Sequence, residues 1–329
     1  MSGIETADEF ETIERLFRPL AHPTWARGLI DDVAVLPSRS GHDLILTKDA
    51  MVEGVHFLPD DPLDTVAKKL LRVNLSDLAA KGAEPFGYLL ACFWSERCGW
   101  PEREAFAAGL AEDQARFGVH LLGGDTVTTP GPASFSLTAL GWTPRGRAVS
   151  RAGARPGDLI VVTGAIGDGL LGLQAARGEL GLEDERIAAL ATHYRMPEPR
   201  VGFALAVRQH AAAALDVSDG LIADLGHMAA AGGVGIAIDL EKLPLSRAAT
   251  AWLETRVDPA AALADLASGG DDYEIVMAAP PGAFDSLKRQ ADEQRLRLTV
   301  VGAVTQGEGV VVRHGGEVVP IERAGWRHR

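Results

Sequence analysis

Apolar and polar positions along the first half of the chain fall into blocks that predict helices and strands in turn. Helices are predicted near residues 7–20, over residues 64–83, which lack proline and contain good helix formers, and after Pro101. Short apolar runs between and around these helices predict strands, namely IDDVAVL, DLILTKDA, FGYLLACFW, VHLLGG and SFSLTALGW.

A polar stretch that contains glycine and proline, PRGRAVSRAGARP, follows at about residues 145–156 and is the best candidate for a domain boundary. The alternation then resumes with DLIVVTG, glycine-punctuated helical segments to residue 213, ALDVSDGLIADLGHM, GIAIDL, YEIVMAAP, a helix near 282–294 and LTVVGAV. Both halves therefore indicate an α/β (α+β) fold. A length of 329 residues suits two domains, which we expect at residues 1–145 and 146–329.

Composition places the chain among ordinary globular proteins, with 47% hydrophobic and 23% charged residues. The acidic N-terminus does not resemble a secretory signal, and no apolar run reaches the roughly 18 residues of a membrane span. Cys92 and Cys98 do not form a CxxC pair and fit a reducing compartment, so we expect a cytoplasmic protein. A net charge of -13 argues against nucleic-acid and membrane-surface binding, although an acidic chain can bind a polyphosphate through divalent cations.

Aspartates recur at predicted element ends and glycine turns, where loops from several strands can converge on one site. They are Asp31, Asp32, Asp49, Asp77, Asp125, Asp216, Asp219, Asp271 and Asp272. Each has an alternative explanation when taken alone. Asp219 could cap a helix that begins at Gly220, Asp125 could be a turn residue, and Asp77 could lie on a solvated stripe with Asn74 and Lys81.

Convergence of these carboxylates would require a compensating cation. Two like charges 4 Å apart repel by about 4 kcal/mol at an effective dielectric of 20. Oxygen ligands without a pair of His or Cys at metal-binding spacing favour Mg²⁺ or Mn²⁺ over Zn²⁺, and Mg²⁺ usually completes its shell with substrate phosphates and water. The pattern therefore points to a nucleotide and a phosphoryl transfer.

Familiar nucleotide and hydrolase motifs give little support to other functions. No lysine is followed by Ser or Thr, so a Walker A motif is absent, as are the G-x-S-x-G and H-E-x-x-H patterns. GDGLLG at residues 167–172 matches GxGxxG after a predicted strand and leaves a dinucleotide fold as an alternative. That alternative would leave the acidic clusters unexplained.

The motifs IDDVAVL, LTKDAMVEGVHF, NLSDLAAKGAEP, LLGGDT, GRAVSRAGARPGD, LDVSDGLIADLGH and SGGDDYEI, in this order, resemble the thiamine-monophosphate kinase family. The resemblance runs from about residue 25 to the C-terminal RAGW. This family belongs to a group of ATP-using enzymes that includes aminoimidazole ribonucleotide synthetase. The resemblance implies an N-terminal domain that binds ATP and Mg²⁺ and whose sheet pairs with that of a second copy in a homodimer. It also implies a C-terminal α/β sandwich that closes the active site.

The resemblance also implies roles for individual residues. Ligands of several Mg²⁺ ions would be Asp32, Thr47, Asp49, Asp77, Asp125, Asp216 and Asp219. ATP would contact Gly124, Asp125, Arg151 and Ser218. Thiamine monophosphate would contact His56, Asp271 and Trp326. The aromatic face of Trp326 suits a thiazolium or pyrimidine ring. The implied reaction is direct transfer of the ATP γ-phosphate to thiamine monophosphate, with no catalytic residue beyond those that position metal and substrates.

Three positions depart from the usual pattern of the family. Ile30 stands where a glycine is usual, Lys48 where a Ser or Thr is usual, and Asp271 where a Glu is usual. The alternatives to the kinase are another ATP-using member of the same group that acts on a purine precursor, and a non-catalytic nucleotide-binding protein. The VEGVHF segment and the C-terminal RAGW favour thiamine monophosphate.

Overall fold

The computed structural model describes residues 8–326, apart from the side chain of residue 184. These residues form two compact units, and each contains helices together with one sheet. The N-terminal unit comprises residues 8–78 and 84–146, and the C-terminal unit comprises residues 79–83 and 147–326. The predicted α/β (α+β) class is confirmed.

The N-terminal unit is built on a four-stranded sheet with strand order β1-β4-β2-β3, in which the β2–β3 pair is parallel and the other pairs are antiparallel. The strands are β1 (His42–Val52), β2 (Glu84–Ser95), β3 (His120–Thr129) and β4 (Ser134–Pro144). Its helices are α1 (Glu9–Thr12), α2 (Leu63–Ala80) and α3 (Trp100–Phe117). The long helices α2 and α3 are close to those expected from the sequence.

One face of this sheet is buried, and the other carries exposed apolar side chains. Trp94 and Phe135 on the buried face pack against Phe106 of α3, and the Phe106 and Phe135 ring centroids are 4.5 Å apart. Burying a side chain of this kind contributes about 2–3 kcal/mol. Strand register places five exposed residues together on the opposite face, which we call the open face: Leu44, Leu46, Leu89, Phe93 and Val127.

The run IDDVAVL does not form the predicted strand. Residues 30–36 have no regular structure, and Ile30 and Val33 are exposed. Within this run the Val35 N–H donates a hydrogen bond to the Trp25 carbonyl at 2.9 Å. A short apolar run favours a strand, but a strand also needs a neighbouring strand to bond to along its length. Asp31 and Asp32 therefore lie in a loop and do not open a strand.

The C-terminal unit contains a mixed seven-stranded sheet with order β11-β10-β7-β9-β5-β8-β6. Its strands are β5 (Leu159–Thr163), β6 (Ala213–Asp216), β7 (Gly235–Asp239), β8 (Ile275–Ala279), β9 (Leu298–Thr305), β10 (Gly309–His314) and β11 (Glu317–Val318). Its helices are α4 (Asp168–Ala176), α5 (Asp184–Arg195), α6 (Ala204–His210), α7 (Leu221–Gly232), α8 (Arg247–Leu253), α9 (Pro259–Ser268) and α10 (Phe284–Glu293). The sequence patterns had not predicted α8, α9, β10 and β11.

The central strands of this sheet are covered on both faces. One hydrophobic cluster joins Ile160 and Val162 of β5 to Leu225 of α7, and another joins Val161 of β5 to Leu287 of α10. Strands buried on both faces appear in the sequence as continuous apolar runs, as in LIVVT and IVMAA. The continuous apolar runs therefore account both for the predicted strands and for the burial of the sheet on its two faces.

Residues 79–83, which are the last two residues of α2 and the turn before β2, pack with the C-terminal unit. Within that unit the Lys81 amine donates a hydrogen bond to the Ala214 carbonyl at 2.6 Å, and the Lys81 carbonyl accepts one from the Val149 N–H at 3.1 Å. Ala79 and Ala80 belong to the same hydrophobic cluster as Val161.

Two further sequence expectations can be compared with the structure. Cys92 is buried on β2 and Cys98 is partly buried, and neither forms a disulfide. Burial raises the pKa of both thiols, so each is a poor nucleophile. Among the helices formed by residues 8–326, none combines the length and the hydrophobicity that crossing a bilayer requires.

Candidate active site

Thr47, Asp49 and Asp77 form one polar cluster in the N-terminal unit. Alternation along β1 directs Thr47 and Asp49 to the sheet face that α2 covers, and Asp77 lies on α2. The Thr47 hydroxyl donates a hydrogen bond to the Asp77 carboxylate. Asn74 is fully buried and accepts the Asp49 N–H at 3.1 Å while its amide donates to the Leu70 carbonyl. Asn74 and Asp77 therefore do not belong to a solvated stripe, which was the alternative explanation.

The electrostatics of this cluster favour a bound cation. Burial, followed by the nearby Asp77 carboxylate, raises the pKa of Asp49 to about 6. Two carboxylates and a hydroxyl are oxygen ligands that suit Mg²⁺. A divalent ion would offset the repulsion between the Asp49 and Asp77 carboxylates. The residues present thus fit the metal that the sequence implies.

Lys48 lies between Thr47 and Asp49 in the chain but on the other side of the strand. Successive residues of a strand point to opposite faces, and Lys48 is exposed while its two neighbours are partly buried. Its β4 partner in the register is Thr138. The departure from the usual Ser or Thr therefore does not insert an amine among Thr47, Asp49 and Asp77.

A second group of predicted site residues lines a cavity of about 360 Å³ in the N-terminal unit. Asp32, Gly124 and Asp125 lie on its wall together with Asp31. The remainder of the wall is mostly apolar, formed by Ile13, Phe17, Ala26, Leu29, Val33, Ala34, Leu89, Leu90, Leu121, Leu122, Gly123 and Thr126. Apolar walls with a few polar groups at one side are typical of small-ligand sites.

Gly124 allows β3 to run close to its neighbour beside this cavity. A Cβ atom added at Gly124 would lie 1.7 Å from the Leu90 carbonyl oxygen of the paired strand β2. Asp125 follows within β3, and its carboxylate accepts the Thr126 N–H at 2.9 Å. Asp125 is therefore a strand residue, and the alternative explanation of a turn residue is wrong.

The cavity and the Thr47 cluster lie at different edges of the same sheet. β1 and β3 are its edge strands, and β4 and β2 separate them. Three interstrand spacings correspond to roughly 14 Å. The N-terminal unit therefore presents two acidic groups, one at each edge, rather than the single cluster that the spacing of the motifs suggested.

His56 lies in the turn that follows β1 and is partly buried. Its Nδ1 accepts the Val52 N–H at 3.0 Å, and its carbonyl accepts a hydrogen bond from the Lys69 amine at 3.2 Å. An acceptor at Nδ1 places the proton of the neutral ring on Nε2.

In the C-terminal unit the turn between β6 and α7 holds three predicted site residues. Asp216 ends β6, and Ser218 and Asp219 follow in the turn. The N-cap of α7 is Gly220, and no side chain caps the helix. The alternative that Asp219 acts as a helix cap is therefore wrong.

Asp224 and His227 on α7 join this turn, although the sequence analysis did not identify them. One ligand atom from each of Asp219, Asp224 and His227 lies within 4.8 Å of the others. The Asp224 carboxylate accepts the N–H groups of Ser218 and Asp219 at 3.1 and 3.2 Å, and burial followed by the Asp219 charge raises its pKa to about 7. The i, i+3 spacing of Asp224 and His227 was the available signal, but this spacing is common on helices.

Asp271 and Trp326 are bonded to the same turn through their backbones. The Asp271 N–H donates to the Ser218 carbonyl at 2.9 Å, and the Trp326 N–H donates to the Asp219 carbonyl at 2.9 Å. The Tyr273 hydroxyl donates to the Asp271 carboxylate at 3.2 Å. Two residues predicted to contact substrate thus adjoin residues predicted to contact ATP and metal.

Arg151 is exposed in a turn before β5. The preceding residue, Ser150, accepts the Ala214 N–H at 3.2 Å through its carbonyl, so this segment runs beside β6. Arg151 is therefore held beside the strand whose last residue is Asp216.

Comparison with known proteins places this arrangement in a family. Residues 30–143 match the family model described as "AIR synthase related protein, N-terminal domain", and residues 155–315 match the corresponding C-terminal domain. The thiamine-monophosphate kinase of Caulobacter vibrioides is 52% identical over 321 residues, which cover 97% of this chain and 90% of that protein. This chain belongs to the thiamine-monophosphate kinase family.

Solved structures of the thiamine-monophosphate kinase family share the fold. The crystal structure of the thiamine-monophosphate kinase from Stenotrophomonas maltophilia K279a is 36% identical, covers 92% of this chain and 94% of its own, and superposes with a TM-score of 0.81. The structure described as "AaThiL complexed with AMPPCP and TMP" is 30% identical, covers 98% of this chain and 97% of its own, and gives a TM-score of 0.78. The resemblance recognised in the motifs is confirmed.

Proposed function

We propose that this chain is an ATP-dependent kinase that transfers the γ-phosphate of ATP directly to thiamine monophosphate, giving ADP and thiamine diphosphate. The observation that carries the proposal is the match over nearly the whole chain to a thiamine-monophosphate kinase at 52% identity. A related structure bound to AMPPCP and TMP supports the same pair of ligands.

ATP is assigned to the cavity of the N-terminal unit. Its apolar wall suits an adenine ring, and Gly124 and Asp125 at its edge are the residues that the family resemblance gives to ATP. The absence of a side chain at Gly124 lets β3 lie close to β2 beside this cavity. The family resemblance gives Arg151 and Ser218 to ATP as well.

Magnesium is assigned to the acidic positions, which are Asp32, Thr47, Asp49, Asp77, Asp125, Asp216 and Asp219. The raised pKa of Asp49 supports this assignment, because a carboxyl with that pKa gains most from a cation close by. Mg²⁺ bound at these residues would neutralise the negative charge of the two phosphates that must approach one another.

Thiamine monophosphate is assigned to His56, Asp271 and Trp326. The Nε2–H of His56 suits a phosphate oxygen, whereas the Asp271 carboxylate and the indole of Trp326 suit a cationic thiazolium or an aromatic pyrimidine. Trp326 is 49% exposed, so part of its ring is available to a ligand.

Direct transfer follows from the chemistry of the acceptor. A phosphate monoester oxygen is already ionised near neutral pH, so no side chain is needed to remove a proton from it. The side chains therefore act by binding and by aligning the two phosphates. We infer that no phosphorylated enzyme forms.

The chain is further proposed to form a homodimer through the open face of the N-terminal sheet and to act in the cytoplasm. Leu46 is 58% exposed, and Leu89 and Phe93 are each 41% exposed on the same face. An apolar sheet face of this kind suits a second copy of the chain. Free Cys92 and Cys98 suit a reducing compartment. Nucleic acid and membranes are not proposed as partners, given the net charge of -13.

One assay tests the reaction. Purified protein is incubated with γ-labelled ATP, MgCl₂ and thiamine monophosphate, and the products are separated by chromatography. Labelled thiamine diphosphate is expected, with no label retained on the protein. A purine-precursor acceptor added in competition should leave the product unchanged. Absence of thiamine diphosphate would contradict the function, and a labelled protein that passes its label to the acceptor would contradict direct transfer.

A further inference from the structure

The SGGDDYE segment, residues 268–274, has an unusual backbone next to the proposed substrate residue. Asp271 has a φ of +69° and Tyr273 a φ of +51°, in the left-handed region that side chains other than glycine enter at a cost. Such a conformation persists only where its surroundings hold it, and it often occurs at functional sites. The contacts of the intervening residue, Asp272, show what holds it.

Asp272 is 1% exposed and binds the glycine segment that precedes and begins α4. The Gly167 N–H donates to both of its carboxylate oxygens, at 3.0 and 2.9 Å, and the Gly169 N–H donates to Oδ1 at 2.9 Å. Gly169 also allows the backbones to meet, because a Cβ there would lie 2.4 Å from the Asp271 carbonyl carbon. The GxGxxG match at residues 167–172 therefore binds a carboxylate of the chain itself.

The neighbours of Asp272 are bonded to the turn between β6 and α7. The Asp271 N–H donates to the Ser218 carbonyl at 2.9 Å, and the Tyr273 N–H donates to the Val217 carbonyl at 2.8 Å. The segment is therefore fixed on one side by these backbone bonds and on the other by the Asp272 carboxylate. Between these attachments the Asp271 carboxylate accepts a hydrogen bond from the Tyr273 hydroxyl at 3.2 Å.

We propose that Asp272 is a positioning residue for the kinase reaction: by binding Gly167 and Gly169 it holds Asp271 in the left-handed conformation that directs the Asp271 carboxylate to thiamine monophosphate. The proposal rests on the function proposed above. Asp272 does not touch substrate in this account and acts through Asp271. It also explains why a dinucleotide motif is present without a dinucleotide function, since the amides that a phosphate would need already bind Asp272.

The test compares Asp272→Ala and Asp272→Asn with Asp271→Ala and with the double variant D271A/D272A. Asp272→Ala should raise the KM for thiamine monophosphate by at least about tenfold and change the KM for ATP by less than about twofold. Asp272→Asn keeps one carbonyl acceptor for the glycine amides and should restore part of the loss. The double variant should be no worse than Asp271→Ala, because both changes remove one function.

Glu274→Gln is the matched control, since it alters another buried carboxylate of the same segment. Glu274 is 2% exposed and is bound by Arg200, by the Thr163 hydroxyl and by the Ala165 N–H, whereas the Gly167 and Gly169 amides bind Asp272. This variant should lower the melting temperature without raising the KM for thiamine monophosphate relative to that for ATP. Equal increases of both KM values in Asp272→Ala, or additive losses in the double variant, would overturn the proposal and leave Asp272 a structural residue.

Hydrogen exchange separates this inference from the proposed function. Asp272→Ala should speed amide exchange in residues 167–169 and 269–273, whatever acceptor the enzyme uses. If wild type does not phosphorylate thiamine monophosphate, the proposed function fails while this measurement still reports on the segment. Unchanged exchange in these residues would overturn the role of Asp272 in holding them. If Asp272→Ala does not fold, the single variant Asp272→Asn and the double variant D271A/D272N are compared instead.

Discussion

The backbone N–H of Trp326 donates a hydrogen bond to the carbonyl oxygen of Asp219 at 2.9 Å. This bond fixes the end of the described chain against the turn that carries a proposed metal ligand, and it does not involve the indole ring. The guanidinium of Arg323 lies 5.6 Å from the centroid of that ring. The backbone bond at residue 326 does not require an aromatic side chain, so the ring can be replaced without removing it.

Replacement of the Trp326 indole should therefore weaken the binding of thiamine monophosphate and leave that of ATP unchanged. Trp326→Ala keeps the backbone bond and is expected to raise the KM for thiamine monophosphate by about tenfold, which corresponds to about 1.4 kcal/mol of lost binding. The KM for ATP and the melting temperature should change little. Trp326→Phe retains an aromatic face and should recover much of the affinity. Equal KM values for Trp326→Ala and wild type would remove Trp326 from the substrate site.

Removal of one carboxylate at the metal positions should abolish most of the turnover. Asp77→Asn leaves an acceptor for the Thr47 hydroxyl but removes the negative charge. Asp219→Asn removes a negative charge in the C-terminal unit. Each is expected to lower kcat by two orders of magnitude or more without loss of fold, and titration with Mg²⁺ measures the affected site. Asp60→Asn, at an exposed turn residue, is the control. Near-full activity of either variant at limiting Mg²⁺ would show that its residue is not a ligand.

The raised pKa of Asp49 predicts a stability that depends on pH in metal-free protein. Between the ordinary pKa of 3.8 and about 6, folded Asp49 keeps a proton that unfolded Asp49 has lost. The free energy of unfolding must therefore fall as the pH rises through this window, by up to about 3 kcal/mol from this carboxyl.

Urea unfolding in EDTA at pH 4.5, 5.5 and 7 measures the effect of Asp49. Asp49→Asn should show a smaller decrease than wild type over this range, and the two proteins should differ most at pH 7. Added Mg²⁺ should stabilise wild type more at pH 7 than at pH 4.5, because it binds the ionised carboxylate. Parallel curves for wild type and Asp49→Asn would contradict both the pKa shift and its cause.

The open face predicts where the homodimer forms. Leu46→Glu places a charge on the most exposed of its five residues and should convert the dimer to monomer in sedimentation or light-scattering measurements. Leu205→Glu, at an apolar residue that is 49% exposed on α6 of the C-terminal unit, is the matched control and should leave the mass unchanged. A wild-type monomer, or a dimer that persists in Leu46→Glu, would contradict this assignment.

The sequence predicted elements whose pattern is set locally and missed contacts that depend on distant residues. The helix α2 and the buried strands β5 and β8 follow from composition and periodicity alone. Residues 30–36 form a short apolar run that is typical of a strand, but the run has no partner strand, which no local pattern reveals. The roles of Asp224 and Asp272 depend on the amides of Ser218 and Gly167, which only the folded chain brings to them.

The same limit applies to the grouping of the aspartates. Their positions at element ends suggested one converging site, and the resemblance to a family supplied their roles. Sheet order separates Asp49 on β1 from Asp125 on β3 within the N-terminal unit, and that order is set by pairing across long stretches of sequence. Motif spacing contains no information on which strands become neighbours.

Residues 79–83 impose a condition on how the gene can be divided. The Lys81 side chain and carbonyl bind Ala214 and Val149, so a fragment that begins at residue 147 would lack groups that its own backbone bonds to. A single crossover near residue 146 in a recombination library would likewise combine this segment from one parent with its partners from another. Exchange of the C-terminal unit between relatives therefore requires residues 79–83 to be transferred with it.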